Sequence, residues 1–193
     1  MQFINIFNYC VQKKFLIFLF KIISKLIRQI QIKNQFLNTN SKNIYPLSLF
    51  FKKHSLCQYK TLADLIAYDC PGKLFRFTLL YNLLSVDYNS RIVISTKLVE
   101  YLPVITTVVP LYSGAGWLER EVFDLFGIFF IKHNDLRRIL TDYGFVGYPL
   151  RKDFPLTGFI EIVYDDSQKH IIYKPVELAQ EFRNFSFKNT CKI

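Results

Sequence analysis

No acidic residue occurs before Asp64, so all 15 carboxylates of this 193-residue chain lie beyond residue 63. Ten Lys and Arg precede Asp64, and the 15 that follow balance the acids, so the formal net charge of +10 belongs to the first third. An acid-free cationic arm suits nucleic acid, an anionic membrane surface or an acidic partner. Close cysteine spacing is missing too: Cys10, Cys57, Cys70 and Cys191 form no C-x-x-C and stand far in sequence from His54, His133 and His170. That scatter argues against a disulfide framework, a structural zinc site or an iron–sulfur cluster. Glycine is scarce, 7 in all, and no G-x-G-x-x-G, phosphate loop or nucleophile elbow is present. Nor is there a long apolar run. In the greasiest segment, residues 13–32, Phe15 to Phe20 is an uninterrupted stretch of only 6, against the roughly 20 residues a spanning helix needs.

What remains is rich in core-forming residues. Hydrophobic content is 51% and aromatic content 17%, which excludes wholesale disorder and supports one domain with an arm or two. Lys14, Lys21, Lys25 and Arg28 fall on one helical stripe, so residues 13–32 read as an amphipathic basic helix. Such a helix suits a groove on a partner, a membrane interface or a targeting segment. Residues 34–45 read as a polar linker. The expected division is a basic, partly helical extension over 1–59, an α+β domain over 60–142, and a loop with a C-terminal arm over 143–193.

Within the domain, Thr61-Leu62-Ala63-Asp64 has capping-box form and predicts a helix start, stopped by the turn at Cys70-Pro71-Gly72. Residues 74–84 and 91–96 read as strands joined by the hairpin loop 86–90. Residues 106–111 read as a third strand. A helix over about 116–126 should end at Gly127 in a C-terminal cap. Gly and Pro spacing makes 144–155 an extended loop, and 159–164 can pair with 170–173 as late strands. Residues 175–187 close the chain as a helical turn or an arm. The fold class is α+β, a small sheet of about four to five strands with helices packed on one side, then an extended C-terminal arm.

Charge is densest between Trp117 and Pro155. Glu119, Arg120, Glu121 and Asp124 occupy one helix, followed by His133, Asp135, Arg137, Arg138 and Asp142. Gly144 and Gly147 then lead into Pro149, Arg151, Lys152, Asp153 and Pro155. Opposite charges interleaved with Trp117, Phe123, Phe126 and Phe129 do not suit a solvated face. Buried charges are costly unless paired and hydrogen-bonded, so the expectation is an Arg–carboxylate network within the fold or across an interface. A catalytic reading of Glu119, Glu121 and Asp124 needs a cleft and separated pKa values. Arg120, Arg137 and Arg138 nearby should keep those carboxylates ionised, which favours structural pairing. His133 reads as a hydrogen-bonded structural group beside Asp135, and Trp117 as a core or interface anchor.

Glu119-Arg120-Glu121, Asp124, Gly127, His133, Asp135 through Leu140, Asp142 through Phe145, Gly147 and Pro149 through Pro155 together resemble the signature of the thirty-kilodalton subunit family of respiratory complex I, the proton-pumping NADH:ubiquinone oxidoreductase. Asn134 and Tyr148 depart from that pattern, where Pro and His are usual. Asp69-Cys70-Pro71, Arg76-Phe77, Tyr81 to Ser85, Asn89 to Ile92, Gly116-Trp117 and Pro175 to Arg183 extend the resemblance over roughly 60–188. The resemblance implies a structural subunit of the peripheral arm, beside the forty-nine-kilodalton subunit that helps form the quinone cavity. It implies a peripheral place on the matrix side of the mitochondrial inner membrane. No cofactor is implied in this chain, with FMN, iron–sulfur clusters and ubiquinone carried by other subunits. The basic N-terminus is left for lineage-specific neighbours or lipid headgroups. A competing reading, from that basic arm with its interleaved aromatics, is an organellar RNA-binding or ribosomal protein.

Overall fold

The computed structural model describes residues 26–31, 36–181 and 183. The chain divides into two compact units, one up to Asp153 and one from Phe154 onward. In the first, strands β1 (Ile27–Gln31), β2 (Phe36–Thr39), β3 (Thr61–Asp69), β4 (Phe77–Ser85) and β5 (Ser90–Leu98) form a five-stranded sheet in the order β1-β2-β5-β4-β3. Only β2 and β5 run parallel. Helix α1 (Ile44–Lys53) follows β2, and helix α2 (Ala115–Phe126) lies between the short parallel strands β6 (Val104–Thr106) and β7 (Phe129–Ile131).

Strand alternation decides where the core sits. Phe77, Leu79, Tyr81 and Leu83 of β4 pair with Leu98, Thr96, Ile94 and Ile92 of β5, and all eight are buried on one face. Leu37 and Leu65 continue that face. Ile44, Leu47 and Phe51 from α1 and Ala115, Val122 and Phe126 from α2 join the same cluster, so both helices cover one side of the sheet. The α+β class and the strand count read from the sequence therefore hold.

Four local expectations do not. Thr61–Asp69 is a strand, not a helix. Its ladder along β4 outweighs the local capping signal, and the Asp64 carboxylate accepts the Leu65 N–H at 2.8 Å beside a bulge. The linker over 34–45 instead contains β2 and the start of α1, with Leu37 and Ile44 fully buried. Residues 27–31 are strand rather than helix, while 13–25 lie outside the described residues. Finally, the third strand covers only Val104–Thr106. Beyond it Pro110 has no N–H to give, Leu111 and Tyr112 turn back to the Val108 carbonyl, and the Val108 N–H goes to Glu119.

The boundary expected at residue 59 cuts through the core, since Ile27, Leu37, Phe51, Cys57 and Tyr59 are all buried in it. The boundary expected at 143 moves to 153, because the loop up to Asp153 belongs to the first unit. The second unit holds the antiparallel pair β8 (Ile160–Asp165) and β9 (His170–Pro175), close to the expected strands. The expected segment 175–187 is not helical over 176–181, and most of the rest lies outside the described residues.

Candidate functional site

Helix α2 presents its charges in three directions. Trp117 and Glu121 point to solvent, Glu119 points into the core, and Asp124 lies under the loop that follows β7. The helix ends where the sequence places its cap: Gly127 has φ 72° and its N–H returns to the Phe123 carbonyl.

Asp124 is fully buried and organises that loop. Its Oδ2 accepts the backbone N–H groups of Ile139, Leu140 and Thr141 at 3.2, 2.8 and 2.9 Å, and its Oδ1 accepts the Thr141 hydroxyl at 2.7 Å. Arg138 Nη1 adds a contact at 3.3 Å. Burial pushes this carboxyl up, but the Thr141 hydroxyl and the three amides outweigh it and hold the group below its ordinary value. Arg138 also donates twice to the Gly147 carbonyl at 3.0 Å and stacks on Tyr148. Gly147 (φ 106°) and Gly144 (φ 73°) supply the left-handed turns that bring the loop back.

Arg151 closes the loop over the end of α2. Its Nε donates to the Phe126 carbonyl at 2.7 Å, and its guanidinium lies between the rings of Tyr148 and Phe77. A cation on a free helix carbonyl also opposes the negative end of the helix dipole. Tyr148, one of the departures from the family pattern, is therefore the platform for both arginines.

A second network joins the loop to the sheet. Arg76 holds Asp69 in a two-pronged contact at 2.8 Å on each arm, reaches Asp153 at 3.0 Å and donates to Glu100. The Lys152 N–H donates to Asp69 Oδ2 at 2.9 Å. The Arg76 hydrogen bonds lower the pKa of Asp69 and of Asp153. Asp69 and Arg76 were legible as parts of the family pattern but not as members of the charge network. Their one signal is an acid and a base flanking the Pro71-Gly72 turn.

The remaining signature residues divide. Asp135 and Arg137 form an exposed pair at 3.0 Å, which contributes little. Arg120 stacks on Trp117 and donates to the Arg137 carbonyl at 3.3 Å. Asp142 accepts the Tyr143 N–H at 2.8 Å, and Pro155 accepts the Gly158 N–H at 3.1 Å. Glu121 is exposed. Pro149, in turn, is half-buried in the loop. Glu119 overturns one expectation. Among the described residues no arginine forms an ion pair with it, and burial pushes its pKa up to about 7 despite hydrogen bonds from Thr107 and Val108. It lines neither of the two grooves on the sheet's other face, of about 730 and 160 Å³, which are lined by residues such as Asn38, Lys42, Phe75 and Lys97. Glu119 and Asp124 are thus both fully buried within the fold.

The pattern described as the respiratory-chain NADH dehydrogenase 30-kDa subunit matches residues 37–160. The chain belongs to that family. The match begins well before residue 60 and so includes β2 and α1. Among relatives, NADH-ubiquinone oxidoreductase subunit 9 of Reclinomonas americana is 51% identical over 177 residues, 91% of this chain and 86% of that protein. NADH dehydrogenase [ubiquinone] iron-sulfur protein 3, mitochondrial, of Candida albicans is 54% identical over 143 residues, 74% of this chain and 51% of that longer protein. A chain in the structure of the membrane-bound sulfane sulfur reductase, an archaeal respiratory membrane complex, superposes with a TM-score of 0.56 at 26% identity, covering 63% of this chain and 71% of that one. Membership in the 30-kDa family sets aside the ribosomal reading, which rested on the acid-free N-terminal third.

Proposed function

We propose that this family member is a structural and assembly subunit of the peripheral arm of mitochondrial NADH:ubiquinone oxidoreductase. It lies on the matrix side and braces the forty-nine-kilodalton subunit beside the quinone cavity. It carries no redox centre of its own; FMN, iron–sulfur clusters and ubiquinone belong to other subunits. Among the described residues, no helix is long and apolar enough to cross a membrane, and no three His, Cys, Asp or Glu side chains are grouped as metal ligands.

The β8–β9 hairpin is the observation that carries this reading. Ile160, Ile162 and Tyr164 on one strand and Ile171 and Tyr173 on the other are all exposed. An isolated two-stranded hairpin is marginal in water, and apolar side chains left open along it mark a protein interface. A photo-crosslinking amino acid at Ile162 or Tyr173, in the intact complex, tests the partner. An adduct with the forty-nine-kilodalton subunit is expected from both positions. Adducts only with other subunits would overturn the assignment.

A further inference from the structure

Helices α1 and α2 cover one side of the main sheet, and the pleat turns the alternate residues of its strands to the other side. Two rungs of that second face lie next to each other. One runs through Asn38, Ser95, Leu80 and Ile66 on β2, β5, β4 and β3, and the other through Lys97, Thr78 and Tyr68. Residues of both rungs line the two grooves on this face. The grooves share Phe75 and Lys97, so they form one trough across the sheet. Neighbouring strands lie about 4.8 Å apart, so the trough from β2 to β3 is about 14 Å long, the reach of about four extended residues.

Its lining is cationic. Lys42 stands just beyond β2, Lys97 on β5 and Lys73 in the turn between β3 and β4, and no Asp or Glu lines either groove. All three lysines are exposed, and among the described residues none has an ion pair or a side-chain hydrogen bond. The floor is polar. Ser95 and Thr78 are only 6% and 3% exposed, yet among the described residues neither hydroxyl has a hydrogen-bond partner. Buried hydroxyls normally find one, and these two line the trough. Phe75, Tyr68 and Leu74, the last 80% exposed, add apolar contact.

Unpaired ammoniums, free hydroxyls and exposed apolar side chains along an open trough suit a ligand that offers both carboxylates and apolar groups. No arginine lines the trough, so it lacks the two-pronged fork that phosphate groups favour. We propose that this face docks an extended, acidic segment of a partner protein, laid across β2, β5, β4 and β3. Its carboxylates meet Lys97 and Lys73, and its apolar residues lie on Phe75 and Leu74. The chain's own first 63 residues are not that segment, because they contain no Asp or Glu. The surface uses no residue of the β8–β9 hairpin, so it stands whether or not that hairpin meets the forty-nine-kilodalton subunit.

Carbodiimide coupling of the intact complex, read by mass spectrometry, tests the surface directly, because it joins an amine only to a carboxylate in contact with it. Lys97 and Lys73 should form amide bonds with Asp or Glu side chains of one segment in another subunit. Acetylation of the same lysines should be at least about tenfold slower in the complex than in the isolated full chain. The paired reversal Lys73→Glu and Lys97→Glu should leave the melting temperature of the isolated chain within about 2 °C of the wild type. Retention of the coupled subunit in complex washed with about 0.5 M salt should nevertheless fall. Lysines that react as fast in the complex as in the isolated chain would overturn the proposal. So would protection without a carboxylate adduct, as a lipid headgroup or the chain's own N-terminal third would give, and so would unchanged retention in the paired variant.

Discussion

Lys152 donates its backbone N–H to Asp69 Oδ2 at 2.9 Å across 83 residues of sequence. The contact joins the last turn of the charged signature to the end of edge strand β3. Asp69 is at the same time gripped by Arg76, whose side chain is 5% exposed while that of Asp69 is fully buried. One carboxylate therefore ties the edge strand, the turn after it and the loop from the far end of α2.

Removing Arg76 leaves Asp69 buried without its cation. Arg76→Ala should cost about 3–5 kcal/mol, the usual cost of breaking a buried pair from one side. Urea unfolding of the full chain measures it, and a change below about 1 kcal/mol would place Asp69 in solvent rather than in the network.

Asp124 is expected to contribute to the acid side of the stability profile. Its folded pKa is depressed below 3.8, so its contribution is full above the unfolded value and is lost as pH falls through the folded one. Asp124→Asn should be less stable at neutral pH by about 2–4 kcal/mol, because an amide nitrogen then faces groups that donate. The variant should also lose less further stability on acidification from about pH 5 to pH 2 than the wild type does, read as the difference in urea midpoints.

Two glycines separate steric from conformational cost. Gly127 (φ 72°) has no room for a Cβ, which would lie 2.6 Å from Arg151 Nη2 and Tyr148 Cζ. Gly72 (φ 82°) has nothing within 4 Å. Gly72→Ala should cost about 1 kcal/mol for the backbone alone. Gly127→Ala should cost clearly more, because the Arg151 cap on α2 must shift as well. Equal thermal shifts for the two would contradict the packing described for Arg151.

Elements built from neighbours in sequence were legible. The β4–β5 hairpin shows alternation on both sides of a polar turn, α2 announces its end with Gly127, and β8–β9 surround a short charged loop. Elements decided by distant partners were not. Strand β3 carries a helix-start signal at Thr61 to Asp64, yet its ladder along β4 prevails. The polar stretch over 34–45 hides Leu37 and Ile44, which matter only once β5 and α1 pack around them. The Asp124 cluster was foreseen as paired charge, but backbone amides supply most of its partners. Glu119 was expected to meet an arginine and meets His133 instead, because residue types alone do not show which way a helix is rotated.

Trp117, with 66% exposure, belongs to the outer surface of α2. Trp117→Ala should change the stability of the isolated chain by no more than about 0.5 kcal/mol. Incorporation into the assembled complex, followed by native electrophoresis, should nevertheless fall. An unaltered yield of complex would remove Trp117 from the interface.

The claim that the buried charges serve assembly rather than catalysis is tested by measuring, in one preparation of the Asp124→Asn variant, both the amount of assembled complex and its quinone reductase turnover. Complex should be depleted, and total activity should fall in proportion, with turnover per complex unchanged. Normal complex levels with turnover reduced by about a hundredfold would assign Asp124 to the chemistry and contradict the account.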